Sequence, residues 1–380
     1  MGRRLAQGAL SLAAISLVVF AWRCDRNWFD THVFLPQQFF LRADPRIVFW
    51  CRGLAAALGL VLLRLVPALP RGASAQRLLL ATVLALPAAE VVLRWRMDRV
   101  IRPELLAAMD VLTTSHPRYG TTFKPSMDRI QELSGREIRF RTDAASRRIP
   151  AAGIDPALPS LVFTGESAMA GFGLQWEETF PALLGERLQL QVVNLATPAY
   201  RIDQSWLRLE DALPGLAQPV AVIGVFMPGL VGRSFAAGRH PIARPSPLSG
   251  IELLAPQPLD AFERSGLFRV WNHLYRSDAQ MEEGMRSVGA TLADMAALAK
   301  ARGAVCLFLV TGYTPRWMIH ELFEAQRLDA VVVDIPESEL LADGHPGPHG
   351  AIRIADALER RLRTAVARFE VDRHQARTSR

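Results

Sequence analysis

The run Leu161-Val162-Phe163-Thr164-Gly165-Glu166-Ser167 decides the fold. Its three leading apolar residues form a short buried strand, which passes directly into a glycine turn carrying a carboxylate and a hydroxyl. The pattern then alternates. A helical period covers Glu178 to Leu188, a strand Gln191 to Leu195, a helix Asp203 to Leu213 and a strand Val220 to Phe226. Further on, Met281 to Arg302 is an amphipathic helix, Val305 to Val310 a strand, Pro315 to Arg327 a helix, Ala330 to Ile335 a final strand and Ile352 to Phe369 a closing helix. Strands alternating with helices predict an α/β domain, a parallel sheet covered by helices on both faces in a three-layer α/β/α sandwich.

In such a sheet, ligands bind beyond the carboxyl ends of the strands. Two reactive segments fall there. Ser167 follows the first strand of the domain, on a turn that offers backbone N–H groups and the positive end of a helix dipole to a developing oxyanion. His345 follows the last strand, within Ala342-Asp343-Gly344-His345-Pro346. A serine needs a base to become a nucleophile, and the base needs a partner to set its tautomer. Asp343, two residues before His345, is the orienting carboxylate. Gly165 to Gly173 matches neither a phosphate loop, since no Gly-Lys-Ser/Thr follows, nor the dinucleotide fingerprint. His240, His273 and His320 show no ligand spacing, and His349 reads as a surface residue near the closing helix.

Three blocks, in order, give these residues a family likeness. Phe163-Thr164-Gly165-Glu166-Ser167 with Gly171 and Gly173 resembles the GDS block of the SGNH (GDSL-type) hydrolases, with Glu in place of Asp. Val193-Asn194-Leu195-Ala196-Thr197-Pro198-Ala199-Tyr200 resembles their second block, and Asp343-Gly344-His345-Pro346 with Gly350 their last. The likeness covers roughly residues 160 to 365. Glu90-Val91-Val92-Leu93-Arg94 and Pro117-Arg118-Tyr119-Gly120 resemble membrane-anchored bacterial members. The resemblance implies a flavodoxin-like SGNH fold, Ser167 as nucleophile, His345 as proton shuttle and Asp343 as its partner. It also implies Ala199, Asn194 and Gly171 at the oxyanion or binding positions, no metal and no organic cofactor. Two departures stand out. The second block's usual glycine is matched by Ala199. The third block's usual oxyanion asparagine has no counterpart, because that strand ends Phe226-Met227-Pro228-Gly229 and the asparagines of the chain are Asn27, Asn194 and Asn272. Losing one such donor costs about 10²–10³ in rate.

The first ninety-six residues, 1–96, read as a membrane region with about three transmembrane helices: Leu5 to Trp22, Ile47 to Leu69 and Leu78 to Leu93. No small-residue cleavage site closes the first run, so it reads as an uncleaved anchor. Arg52 and Arg64 lie off-centre in the second, where they can snorkel. An inside N-terminus with three spans puts the following domain outside the cytoplasm, although the arginines about the spans argue for the inverse. Residues 97–157 read as a connector with a small strand flap, 158–370 as the α/β domain, 228–275 as an insertion bordering the cleft, and 371–380 as a basic tail.

Formal net charge is +7, and almost all of the positive charge is arginine, since the lysines are Lys124 and Lys300. The arginines are scattered, without the aromatic interleaving of a nucleic-acid stripe, so nucleic acid is not an expected partner. Cys24, Cys51 and Cys306 allow no disulfide framework and no metal spacing. The expected partners are a lipid bilayer and an acylated carbohydrate or lipid substrate, at the bacterial inner membrane with the soluble domain extracytoplasmic. The leading expectation is a serine ester hydrolase or acyltransferase. Two alternatives stand beside it: a catalytically weak or inactive SGNH-like binding or assembly module, and a lysophospholipase- or thioesterase-like enzyme facing the bilayer.

Overall fold

The structure is a computed structural model that describes residues 2–34, 45–66, 84–85, 87–93, 111–233, 242–246, 250–254, 265, 267 and 275–378. The chain divides into two compact units. One comprises residues 1–37, 42–106 and 259–278; the other comprises 38–41, 107–258 and 279–380.

In the first unit, α1 (Gly2–Arg23) and α3 (Pro45–Leu65) pack together, and the short α2 (Arg26–Phe29) follows α1. Their approach is close because Gly59 has no side chain: a Cβ there would meet Val18 Cγ2 at 2.8 Å and the Ala14 carbonyl oxygen at 2.9 Å. Arg52 is absorbed by donating its Nε to the Ala21 carbonyl, at 2.8 Å. Val48–Leu65 is long and apolar enough to cross a membrane, with mean hydropathy 1.7. Leu54, Leu58 and Val61 on it are exposed. Gln7–Arg23 meets the same standard only together with Arg26–Val33, from which it is bent by 96°. Of the third apolar run, Leu78 to Leu93, only residues 84–85 and 87–93 are described, all helical.

The second unit opens with two antiparallel hairpins where the sequence suggests a connector. One pairs β1 (Thr113–His116) with β2 (Gly120–Phe123), the other β3 (Asp128–Leu133) with β4 (Arg136–Arg141). Ser134 and Gly135 join the second pair with φ of 55° and 72°. Positive φ at both central residues is the primed two-residue turn whose twist suits a hairpin. Phe123, Ile138 and Phe140 face inward and join the main core.

The sheet follows: β5 (Pro159–Thr164), β6 (Gln191–Asn194), β7 (Gln218–Phe226), then β10 (Val305–Thr311) and β11 (Ala330–Val333), in spatial order β11-β10-β7-β5-β6 and parallel throughout. Val220 through Phe226 are all buried, the unbroken apolar run of a strand covered on both faces. The helices are α4 (Ser167–Ala170), α5 (Phe180–Leu188), α6 (Ile202–Ala212), α7 (Gly229–Arg233), α8 (Asp278–Ala301), α9 (Arg316–Ile319) and α10 (Pro348–Thr378). Thr179 caps α5 by accepting from the Ala182 N–H, and the helix buries Phe180, Leu184 and Leu188 at four-residue spacing. Arg187 ties α5 to α10 through Asp356 and Glu359.

One expectation is extended and two change. α10 runs on to Thr378, so residues 371–378 of the basic tail continue the closing helix. Within 228–275, α7 and the hairpin of β8 (Ile242–Ser246) with β9 (Gly250–Leu254) are ordered elements, and most of the rest lies outside the described residues. The helix after the Ser167 turn spans only four residues, too short for the macrodipole expected of it.

Candidate active site

Adjacent parallel strands bring the turn after β5 beside the carboxyl end of β7. Gly165 makes this possible, because a Cβ on it would clash with the Val225 side chain. The turn is also tied to the loop after β6: Leu195 N donates to the Phe163 carbonyl at 2.7 Å and Thr197 N to the Gly165 carbonyl at 3.1 Å. Glu166 then caps α4, its Oε1 accepting from the Ala168 N–H at 3.1 Å, and Ser167 follows as the first helical residue.

After β11 the chain makes a short bridge, Leu340 to Pro346, around a tight turn. Leu341 N donates to the His345 carbonyl at 2.7 Å and Gly344 N to the Leu341 carbonyl at 2.9 Å. Gly344 adopts φ 85°, which only glycine enters without cost. The turn swings His345 over the sheet edge, where its ring packs on Phe172 at 5.3 Å between centroids.

The structure brings Ser167, His345 and Asp343 together. His345 Nε2 is 2.7 Å from Ser167 Oγ. His345 Nδ1 is 2.9 Å from Asp343 Oδ2, but the N–H bond is not aligned with that contact. With one residue between them on a single turn, the carboxylate meets the ring obliquely; the attraction is mainly electrostatic. Asp343 Oδ1 also accepts the His345 backbone N–H at 3.2 Å. A further residue completes the line: Ser134 Oγ, from the β3–β4 turn, donates to Asp343 Oδ2. Burial pulls the Asp343 carboxyl upward, but the contacts from His345 and Ser134 outweigh it and hold it down at about 2.

Ser167 Oγ has a second close neighbour. It donates to Glu166 Oε2 at 2.7 Å, and Glu166 is almost wholly buried. A hydroxyl has one proton, so it serves His345 or Glu166, one at a time.

The remaining expected residues divide. Ala199 sits at φ 61°, third in a turn that Tyr200 N closes onto the Thr197 carbonyl at 3.3 Å with Pro198 second. That is a position for glycine, and Ala199 occupies it at a cost on the order of 1–2 kcal/mol. Buried Arg208 braces this turn through Thr197 Oγ1 and the Tyr200 hydroxyl, each at 3.3 Å. Among the described residues, neither the Ser167 N–H nor the Ala199 N–H donates to a protein acceptor. Asn194 is committed to backbone instead. Its Nδ2 donates one N–H to the Met169 carbonyl at 2.9 Å and its Oδ1 accepts from Ala196 N at 3.1 Å, so it ties the Ser167 turn to the loop after β6. Gly171 is the left-handed cap of α4, its N–H bonded back to Ala168 and its carbonyl accepting from Arg148. It too is a positioning residue.

Sequence reading missed Ser134, the Glu166 contact and Arg148. The Ser-Gly dipeptide between alternating segments marks a turn, but nothing local says that its hydroxyl lands on Asp343. Arg148 is fully buried, stacks on Phe140 with its guanidinium 4.4 Å from the ring centre, and donates to the carbonyls of Ala170, Gly171 and Leu174 at 2.6 Å each. Burial pushes its pKa down to about 9, against the partial compensation of Glu177 and Glu178. A groove of about 350 Å³ beside Trp176, Glu186 and Gln191 contains none of the catalytic candidates. Among the described residues no three His, Cys, Asp or Glu side chains gather as a metal site.

No family model matches the sequence, and no curated protein matches it. Solved structures do show similarity. A putative lipolytic protein of the G-D-S-L family from Desulfitobacterium hafniense DCB-2 is 14% identical with a TM-score of 0.34, over 53% of this chain and 98% of that one. An acetyl xylan esterase from the rumen bacterium Butyrivibrio proteoclasticus is 11% identical with a TM-score of 0.36, over 57% and 66%. A carbohydrate esterase family 2 enzyme from Corynascus thermopiles is 14% identical with a TM-score of 0.33, over 58% and 69%. Likenesses this distant leave the reading of the site to its own geometry.

Proposed function

We propose that the chain is a membrane-anchored serine ester hydrolase or acyltransferase of SGNH type, acting on O-acyl groups of envelope polysaccharide or lipid. The observation that carries this reading is the contact line Ser167–His345–Asp343, on a parallel sheet's carboxyl edge. His345 Nε2 takes the Ser167 proton as Oγ attacks the acyl carbonyl. Asp343, ionised and beside Nδ1, stabilises the imidazolium. The N–H groups of Ser167 and Ala199 receive the charge on the carbonyl oxygen. When the tetrahedral intermediate collapses, His345 returns the proton to the departing alcohol oxygen and leaves an acyl-serine. Water then releases a free acid, or an acceptor hydroxyl takes the acyl group, by the same proton route in reverse.

The membrane part of the proposal rests on Val48–Leu65 and its exposed apolar side chains. The anchor would occupy residues 1–96 at a bacterial inner membrane, with residues 158–370 extracytoplasmic. A reporter fused after Arg102 checks the side. A binding or assembly module is the second reading, supported by Glu166 competing for the Ser167 proton. Purified protein assayed on a short-chain aryl ester and labelled with a fluorophosphonate separates the two. Turnover and labelling that vanish in Ser167→Ala support the esterase. A folded wild type that does neither supports the module.

A further inference from the structure

Glu166 creates an electrostatic problem at the proposed nucleophile. Its carboxylate oxygens are committed to Ser167 Oγ and the Ala168 N–H, so it is fixed within van der Waals reach of the atom that attacks. An ionised carboxylate there opposes the oxyanion that the same attack creates, and does so strongly in a buried site. A cation close to both would offset it.

From Pro219 to Gly232 the chain carries no hydrogen-bonding side chain; Arg233 is the first after Gln218. It closes α7, whose preceding residues Gly229 to Gly232 are buried and seat it just beyond the carboxyl end of β7. That end abuts the nucleophile turn through Val225 and Gly165. Arg233 Nη1 lies 3.4 Å from the carbonyl oxygen of Tyr200, the residue after Ala199. Glu166 and Tyr313 both lie within its electrostatic range. The guanidinium therefore lies against the Ala199 turn, with the Glu166 carboxylate of the Ser167 turn in its electrostatic range. Burial pushes its pKa down, with Glu166 and Tyr313 acting against that, yet arginine keeps its charge.

We propose that Arg233 is a catalytic residue whose guanidinium donates to the oxyanion, alongside the N–H groups of Ser167 and Ala199. The inference rests on Ser167 being the nucleophile. As the Oγ–carbon bond forms, the carbonyl π pair moves onto oxygen and is met by the Arg233 N–H; no proton leaves the arginine. When the intermediate collapses, the carbonyl re-forms and the charge on Arg233 is again balanced by Glu166. Arg233 thus does the work of a neutral side-chain donor and cancels the field of Glu166 as well.

The test uses the full chain in detergent or vesicles, with Arg233→Gln and Arg233→Lys compared by thermal melting, ester kinetics and inhibition by an alkyl boronate. The boronate forms an anionic tetrahedral adduct on serine. Arg233→Gln is expected to lose about 10²–10³ in kcat with KM changed less than about threefold, and boronate affinity falls in parallel. Arg233→Lys keeps the charge and regains part of both. A kcat within about threefold of wild type in Arg233→Gln, or a loss confined to KM, overturns the inference. If the Gln variant does not fold, the Lys variant decides: boronate affinity equal to wild type overturns it. Wild type without turnover or fluorophosphonate labelling overturns the nucleophile assignment and this inference with it. An active, labelled wild type with an indifferent Arg233→Gln overturns this inference alone.

Discussion

Ser134 and Asp343 stand 209 positions apart, and the Ser134 hydroxyl donates to the carboxylate beside the His345 ring. The contact makes the β3–β4 hairpin part of the site. Gly173 packs on Ser134, with no room for a Cβ, and Arg136 in the next strand binds the Gly173 carbonyl at 3.0 Å and Glu178 at 2.8 and 2.9 Å. The loop that follows Ser167 and the turn that carries Asp343 are thereby referenced to one hairpin tip.

Ser134→Ala should therefore act through Asp343. Removing a donor to an ionised acceptor is worth about 1.5 kcal/mol, or roughly tenfold in kcat, with KM little changed. The Asp343 carboxyl should titrate at higher pH, since it loses a group that favours its charged form. An unaltered Asp343 titration by NMR with unaltered kcat would show that the hydroxyl is a bystander.

Asp343 also predicts how stability depends on pH. Its folded pKa, about 2, lies below the ordinary carboxylate value of 3.8. A depressed carboxyl stabilises the fold above its unfolded pKa, and that contribution disappears as pH falls through the folded pKa. The loss should fall between about pH 4 and pH 2, modestly because the group is partly exposed. Chemical denaturation across that window, wild type against Asp343→Asn, checks it; parallel curves for the two proteins contradict it.

Ser167 and His345 should behave as one unit. Either alanine substitution removes the proton path, so each single change should cost about as much as the pair together. Initial rates of both single mutants and the double mutant on one aryl ester test this. Multiplicative losses would mean the 2.7 Å contact is not the working one.

Arg148→Met should destabilise the α/β unit by about 3 kcal/mol, because three buried carbonyls lose their donor while the stack on Phe140 is only partly replaced. The loop from Ala170 to Leu174 follows Ser167 directly, so kcat should fall with stability. Denaturant midpoints and kcat measured together check both; a midpoint equal to wild type refutes the clamp.

Much of this architecture was legible along the chain. The apolar runs at Leu161, Val220, Val305 and Ala330 are local signals of buried strands, and their alternation with helical periods leaves few arrangements besides a parallel sheet. Ser167 and His345 could be paired from sequence because Ser167 leaves the end of one strand and His345 lies in the segment after the last, and parallel strands put all such ends on one edge. Helix ends were less legible, as the extension of α10 to Thr378 shows, since a polar arginine-rich stretch carries no apolar period. Tertiary structure alone decided the roles that depend on distance and competition. Asn194 stood among the expected oxyanion or binding positions, and only the packed structure shows one of its amide N–H groups held by the carbonyl of Met169 and its oxygen by the N–H of Ala196. Residues 97–157 read as a connector with a small strand flap, and only packing shows that the flap's turn delivers Ser134 to Asp343 and the following segment delivers Arg148 to the loop after Ser167. Residue type and periodicity specify what a side chain can do and which local element carries it. Which partner it meets depends on how separate elements pack in three dimensions, and contacts spanning 22 to 209 residues leave no periodic trace in the sequence.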